Sequence, residues 1–454
     1  MVRIRADEDD ERWAEGFSPE NDVFQRKDLA DRLSNLYATL EQGSVGLLGG
    51  DWGIGKTTFV KMWSSMLKKR GISTVYVDAF AQDYISDPFE ALCGTFVRAA
   101  QSSRKEQTPE FREFAERAAG VGKRLLPTIA KIGIKAATVG LVGSSEIEAV
   151  QTAIDTSTEA AADAVEERLK AVLEDHAQAE HSFAGLRQAI SKLVVAIDRD
   201  RDGPSPRLII IVDELDRCRP AFAVGLLEII KHFFRADNVH FVIVTNRKSL
   251  TKSFAGVHNL GDEAEDYLSK FYDFTMHLTL PTGAYGRQYL RQYISAVFRD
   301  VLKEPHKTQF SYDLEDMCLS LSIANGLSLR QINAFVLIAS LCVSSLADRQ
   351  EVSAMLVSHL ILMEVARPDL YTKAKTGTLG WSEMREIVPM GEDNEGYNGE
   401  HVYNVFGYFL APTLGEVPED YRNVGSGRLG ISREGFIPYL ANSVVDLFAQ
   451  PSKG

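Results

Sequence analysis

The stretch Gly50-Asp51-Trp52-Gly53-Ile54-Gly55-Lys56-Thr57 follows the pattern G-x-x-x-x-G-K-[ST] without a departure, and no other part of the chain constrains the fold as much. A short apolar run, Val45–Leu48, precedes it, and a helical pattern from Thr57 to about Lys69 follows. Strand, Gly-rich turn and helix in that order let the backbone N–H groups of Gly50, Gly53 and Gly55 converge, and the helix N-terminus adds its dipole. Such a concavity receives phosphate. Lys56 would bridge the β- and γ-phosphates of a nucleoside triphosphate such as ATP, and the Thr57 hydroxyl would ligate Mg2+. Asp51, Trp52, Ile54 and Thr58 complete the expected nucleotide-binding set. Within it, Trp52 reads as a packing residue rather than a base-stacking one.

Further short apolar runs at Thr74–Val77, Leu208–Val212 and Val239–Thr245 alternate with helical patterns, which predicts an α/β fold with a parallel sheet covered on both faces. The chain has 454 residues, enough for two or three domains. The alternation is interrupted from 87 to 198 by an Ala-rich helical insertion, and Arg199–Pro206 is the loop that returns to the core. After Pro281 the strands stop and helical periodicity runs from about Tyr285 to Ala366. The expected division is a tail over 1–20, a core over 21–86 and 199–281, the insertion over 87–198, a helical domain over 282–370 and a mixed region over 371–454 with Gly-rich loops at Gly391–Gly399 and Gly425–Gly430. Leu125–Ser145 is apolar, but Lys131 and Lys135 interrupt it, and a spanning helix needs about 20 apolar residues. It is not an integral membrane span. A helix packed within the insertion and an interfacial or partner-binding helix, helped by Lys123 and Arg124, both stay open.

Arg207-Leu-Ile-Ile-Ile-Val-Asp213-Glu214 reads as a buried strand whose end carries two acids. Beside a phosphate loop, Asp213 would hold Mg2+ and Glu214 would polarise the attacking water. His240–Asn246 is a second strand with a polar end, where the Asn246 side chain would touch both the γ-phosphate and the water, or else cap a helix. With 50 Lys+Arg against 63 Asp+Glu the net charge is −13, which argues against a general nucleic-acid coat and leaves only a local basic groove for nucleic acid. Cys93, Cys218, Cys318 and Cys342 are scattered, with no pattern of a zinc site or disulfide framework, so reduced intracellular thiols are expected. The nine His are dispersed, and no nuclease, protease or deaminase grouping is legible. Met1–Glu11 is charged and lacks the apolar run of a signal peptide. A cytoplasmic protein is expected, with peripheral membrane association as the other reading.

The stretch Ile209-Ile-Ile-Val-Asp-Glu-Leu-Asp216-Arg217-Cys218 resembles the hhhhDxLDRC signature of the KAP P-loop NTPases. Val77-Asp-Ala-Phe80 with Asp87-Pro88-Phe89, Tyr267-Leu-Ser-Lys270 ending in Leu280-Pro281, Gly326-Leu-Ser-Leu-Arg330-Gln-Ile-Asn333, and Ala366-Arg367-Pro368 are similar to further elements of that family. Leu329 stands where the family has Pro, and the insertion lacks the paired membrane spans that members often carry. The resemblance covers about Asp22 to Tyr371. It implies a P-loop core of the additional-strand, catalytic-glutamate type with a helical domain behind it. Proteins of this family act as ATP-driven switches, and bacterial members often serve phage exclusion and other defence. Arg217 and Lys270 are then the candidates for a finger reaching into a neighbouring copy, so a homo-oligomer is expected. The other readings are that Arg217 pairs with Asp216 and that Lys270 sits on a solvated helix face. Arg330, which follows a small-residue turn, would reach back to the nucleotide as a sensor. Asn21–Arg26 would close over the adenine or simply cap a helix.

Three functions fit this reading: an ATP-hydrolysing switch or motor, an NTP-gated sensor or scaffold with little turnover that recruits a separate effector protein, and a small-molecule kinase. The last is disfavoured, because Glu214 directly after Asp213 is an arrangement that activates water.

Overall fold

The computed structural model describes residues 13, 15–85, 87–122, 180–198, 206–302, 308–345, 353–388, 398–422 and 431–446. The expectations for Leu125–Ser145, for most of Gly391–Gly399 and for Gly425–Gly430 lie outside these residues.

Five strands, β1 (Ser44–Gly49), β2 (Ser73–Asp78), β3 (Leu208–Asp213), β4 (Val239–Thr245) and β5 (Phe274–His277), form a wholly parallel sheet in the order β2-β3-β4-β1-β5. Every residue of β1, β3 and β4 is buried, as continuous apolar runs require when helices cover both faces. Alternation divides them between the two faces. Val45, Leu47, Ile210, Val212, Phe241 and Ile243 enter one core with helices α3 (Pro88–Ser102), α4 (Pro220–Ile229) and α5 (Arg247–His258) and with helical residues 180–198. Leu48, Ile209, Ile211, Val242 and Val244 enter the other with helices α1 (Lys27–Thr39) and α2 (Lys56–Lys69). Each such side chain contributes about 1.5–3 kcal/mol on leaving water.

Register levels the strand ends. Asp78 lies opposite Asp213, Val212 opposite Ile243, and Gly49 opposite Thr245, so the loops that follow β1, β2, β3 and β4 gather at one edge of the sheet. Strand β5 has no apolar run. Its four residues are mostly half-exposed or exposed, and it pairs with β1. Phe274 and Met276, alternating with Thr275 and His277, meet the core of α1 and α2, the pattern of an edge strand with one covered face.

Gly46 sits mid-strand in β1, where an added Cβ would overlap the Tyr37 hydroxyl and come within 2.9 Å of Met276 Cε and of the Phe274 ring. Gly46→Ala is therefore expected to destabilise the fold by roughly 1–3 kcal/mol, the range for overpacking a filled core. A denaturant midpoint equal to wild type would contradict this packing.

Beyond β5 the described chain is helical. Helices α6 (Gly283–Leu302), α7 (Gln309–Asn325), α8 (Leu329–Ser345), α9 (Ala354–Ala366), α10 (Pro368–Thr376), α11 (Gly399–Leu410) and α12 (Arg433–Leu440) share one apolar core. Residues after 371 enter it through Ala374, Phe406, Ile437 and Leu440, so the expected boundary at 370/371 is not marked by a break in packing. No described helix is long and apolar enough to cross a membrane.

Candidate nucleotide site

The loop after β1 turns through two glycines in the left-handed region, Gly53 (φ +78) and Gly55 (φ +86). A side chain at either would be strained, which is why the pattern demands glycine there. Gly55 is also the N-cap of α2, so the loop runs directly into a helix N-terminus. Lys56 Nζ donates to the carbonyls of Gly50 (2.7 Å) and Asp51 (3.0 Å) across the loop. Burial holds the Lys56 ammonium below the ordinary lysine range, opposed by the charges of Asp216, Asp213 and Asp51. Ile54 is buried and its Cδ1 meets Gly50, so its side chain anchors the loop. Asp51 is exposed, and Thr58 lies half-buried in the first turn of α2.

Trp52 corrects the sequence reading. It is 53% exposed rather than packed, and its indole Nε1 donates to Asp216 Oδ2 at 2.6 Å. Asp216 also accepts from Thr245 Oγ1 (3.3 Å), while its carbonyl accepts from Ser249 Oγ (3.4 Å). The LDRC part of the signature thus binds the loop tip to the end of β4.

Asp213 ends β3 with 2% of its surface exposed. Its carboxylate accepts from the Glu214 N–H (2.8 Å), the Tyr76 hydroxyl (3.1 Å) and the Thr57 hydroxyl. Burial pushes Asp213 above the usual carboxylate range, and the three donors together with Lys56 oppose that shift. Tyr76 was not visible in the sequence as a site residue. Its only signal is strand alternation, which puts it two residues before the end of β2.

Glu214 adopts the left-handed region (φ 60, ψ 25), a conformation costing a non-glycine residue of order 1 kcal/mol or more. The next residues hold it there. The Arg217 N–H donates to the Glu214 carbonyl (3.1 Å), Cys218 Sγ reaches the same oxygen (3.7 Å), and Arg217 Nη1 pairs with Glu214 Oε2 (2.9 Å). Burial pushes Glu214 up and Arg217 opposes it. Arg217 therefore faces its own Glu214, neither pairing with Asp216 nor pointing away toward a neighbour.

Asn246 is buried at the end of β4 and its Oδ1 accepts from the Ser249 N–H (3.1 Å), capping α5. Its position beside Thr245 keeps it at the edge where the loop and the acids meet. Arg330 opens α8 directly above the loop, since a Cβ on Gly53 would lie 2.9 Å from Arg330 Cβ and 3.0 Å from Ser328 Oγ. Lys270 is not brought to this edge. It precedes β5, at the opposite end of a parallel sheet, and its ammonium lies 5.1 Å from the centre of the Tyr267 ring. Ahead of α1, whose N-cap is Arg26, Asp22 accepts from the N–H groups of Arg26 (2.7 Å) and Lys27 (2.9 Å).

Among the described residues no three His, Cys, Asp or Glu side chains are grouped to hold a metal ion. One carboxylate beside one hydroxyl suits Mg2+, which keeps waters and takes its remaining ligands from phosphate oxygens. Asp213 and Thr57, already hydrogen-bonded to each other, are such a pair. Lys56 and the glycine-turned loop fit a triphosphate in the same way.

The family comparison agrees with this geometry. The model of the KAP family P-loop domain matches residues 26–345, a span from Arg26 through the sheet and its edge to the end of α8. No curated protein matches the chain. With the match covering more than half of its length, the chain belongs to the KAP family of P-loop NTPases.

Proposed function

We propose that the protein binds ATP with Mg2+ and hydrolyses it, as a nucleotide-driven switch whose moving parts are the helices that rest on the loop. The observation carrying this reading is the line of Lys56, Thr57, Asp213 and Glu214 along one sheet edge, with Thr57 and Asp213 in contact. Strand β4 lies between β1 and β3, which supports a core of the additional-strand, catalytic-glutamate type. In this reading Lys56 exchanges its loop carbonyls for β- and γ-phosphate oxygens, and Thr57 and Asp213 hold the metal. When bound, Mg2+ would neutralise charge on the phosphates. Glu214 accepts a proton from the attacking water, Asn246 orients that water, and Arg330 reaches the phosphates from α8. Sustained phosphate release from ATP that stops with a chelator tests the proposal. Release that persists with the chelator, or no release at all, would sink it.

The Arg217–Glu214 ion pair favours a second reading, in which the base is held by a guanidinium and turnover is slow. A burst of about one phosphate per subunit with nothing after it would select this sensor or scaffold, acting through a separate effector. For a homo-oligomer with Arg217 as a finger, Arg217 would have to leave Glu214. Light scattering with ATP and Mg2+ tests that assembly, and a monomer under all nucleotide conditions removes it.

A further inference from the structure

Phosphate loops present a bonding problem on their reverse side. When successive N–H groups turn inward toward an anion, carbonyls turn the other way and need donors of their own. Ile54 has the last carbonyl before the N-cap Gly55, outside the hydrogen-bond ladder of α2. It accepts from Arg26 Nη2 at 2.8 Å. The same guanidinium reaches the carbonyls of Gly55 (3.4 Å) and Thr279 (3.5 Å), so it spans the loop and the segment that follows β5. Gly55 makes room for it, since a Cβ there would lie 3.0 Å from Arg26 Nη1. The guanidinium lies 5.1 Å from the centre of the Phe24 ring, Phe24 packs on Tyr293 of α6 (5.5 Å between centroids), and the Tyr293 hydroxyl donates to Asn333 of α8 (2.8 Å). The α8 helix is the one that carries Arg330 onto Gly53.

We propose that Arg26 is a positioning residue for nucleotide binding: through the Ile54 carbonyl it holds the loop from Gly53 to Lys56 in its phosphate-receiving shape, and through Phe24 and Tyr293 it ties that shape to helices α6 and α8. The proposal deepens the ATP reading above and rests on it. Burial holds the guanidinium down to about 10, still charged at neutral pH, so its bond to Ile54 is charge-assisted. The Nε of Arg26 is buried without a partner, a cost that the bonds to the loop offset.

The test compares wild type, Arg26→Lys and Arg26→Ala by calorimetry with ATP and Mg2+, and by amide hydrogen exchange of the 50–57 segment without nucleotide. Lysine keeps the charge and the stem but cannot span several carbonyls. ATP affinity is expected to fall about 10- to 100-fold in Arg26→Ala, the range for losing a hydrogen bond to a charged group. Arg26→Lys should fall part of the way, and millimolar guanidinium should restore binding to Arg26→Ala. Exchange of the 50–57 segment should rise in both variants. A folded variant with wild-type affinity and wild-type exchange overturns the proposal, and so does failure of both variants to fold, which would make Arg26 a folding residue. If wild type binds no nucleotide, the ATP reading fails by itself, and the exchange measurement alone decides whether Arg26 holds the loop.

Discussion

Lys56→Ala is expected to abolish measurable ATP binding while leaving the protein folded. The ammonium is the only side-chain cation of the loop, and it already lies within 2.7–3.0 Å of two loop carbonyls. Around it stand Asp51, Asp213 and Asp216, whose charges favour the protonated lysine. Without Lys56 the same carboxylates would face a polyanion, and like charges about 4 Å apart repel by roughly 4 kcal/mol at an effective dielectric near 20. The variant thus loses an attraction and uncovers a repulsion. A loss of at least about 10²-fold in affinity follows, as one charged hydrogen bond alone spans much of that range. Stability should change little, because burial disfavours the ammonium and its removal relieves that cost. Calorimetry decides it: affinity comparable to wild type would remove the loop from the nucleotide site.

The sequence made the sheet and its edge legible because both rest on local signals. Leu208–Asp213 is an unbroken apolar run ending in a polar residue, Val239–Thr245 is one interrupted only by His240, and such runs are buried on both faces. The glycine spacing specified a loop that only positive φ permits at Gly53 and Gly55. What escaped was contact across long sequence separation. Tyr76 reaches Asp213, Trp52 reaches Asp216, and Arg26 reaches Ile54, and none of these pairs shares an element. The direction of Arg217 escaped for another reason. Its position after the two acids was plain, but the left-handed turn at Glu214 brings residue 217 back over residue 214, and no residue type announced that turn. Strand β5 was missed because its signal is a short alternation, Phe274, Met276 and Leu278 between polar residues, rather than the continuous apolar run of the central strands.

Glu214→Gln is expected to separate binding from chemistry. The amide keeps the volume of the side chain, and its oxygen can still accept from Arg217, so the left-handed turn should survive. Lys56, Thr57 and Asp213 are untouched, and ATP affinity should stay within a few-fold of wild type. What the amide lacks is a lone pair basic enough to take a proton from water, so turnover should fall roughly 10²–10⁴-fold, the scale of a positioned base. Binding by calorimetry and phosphate release must be measured on the same preparation, because the split between them is the result. Hydrolysis at the wild-type rate would show that Glu214 is not the base. Asp216, the next acid along, is poorly placed to replace it, since its two oxygens already accept from Trp52 and Thr245. A base role for Asp216 would require the loop tip to release it, and Trp52→Phe in the Glu214→Gln background would then raise turnover. If that double variant is as slow as the single one, Glu214 carries the proton and Asp216 serves only to hold the loop tip against β4.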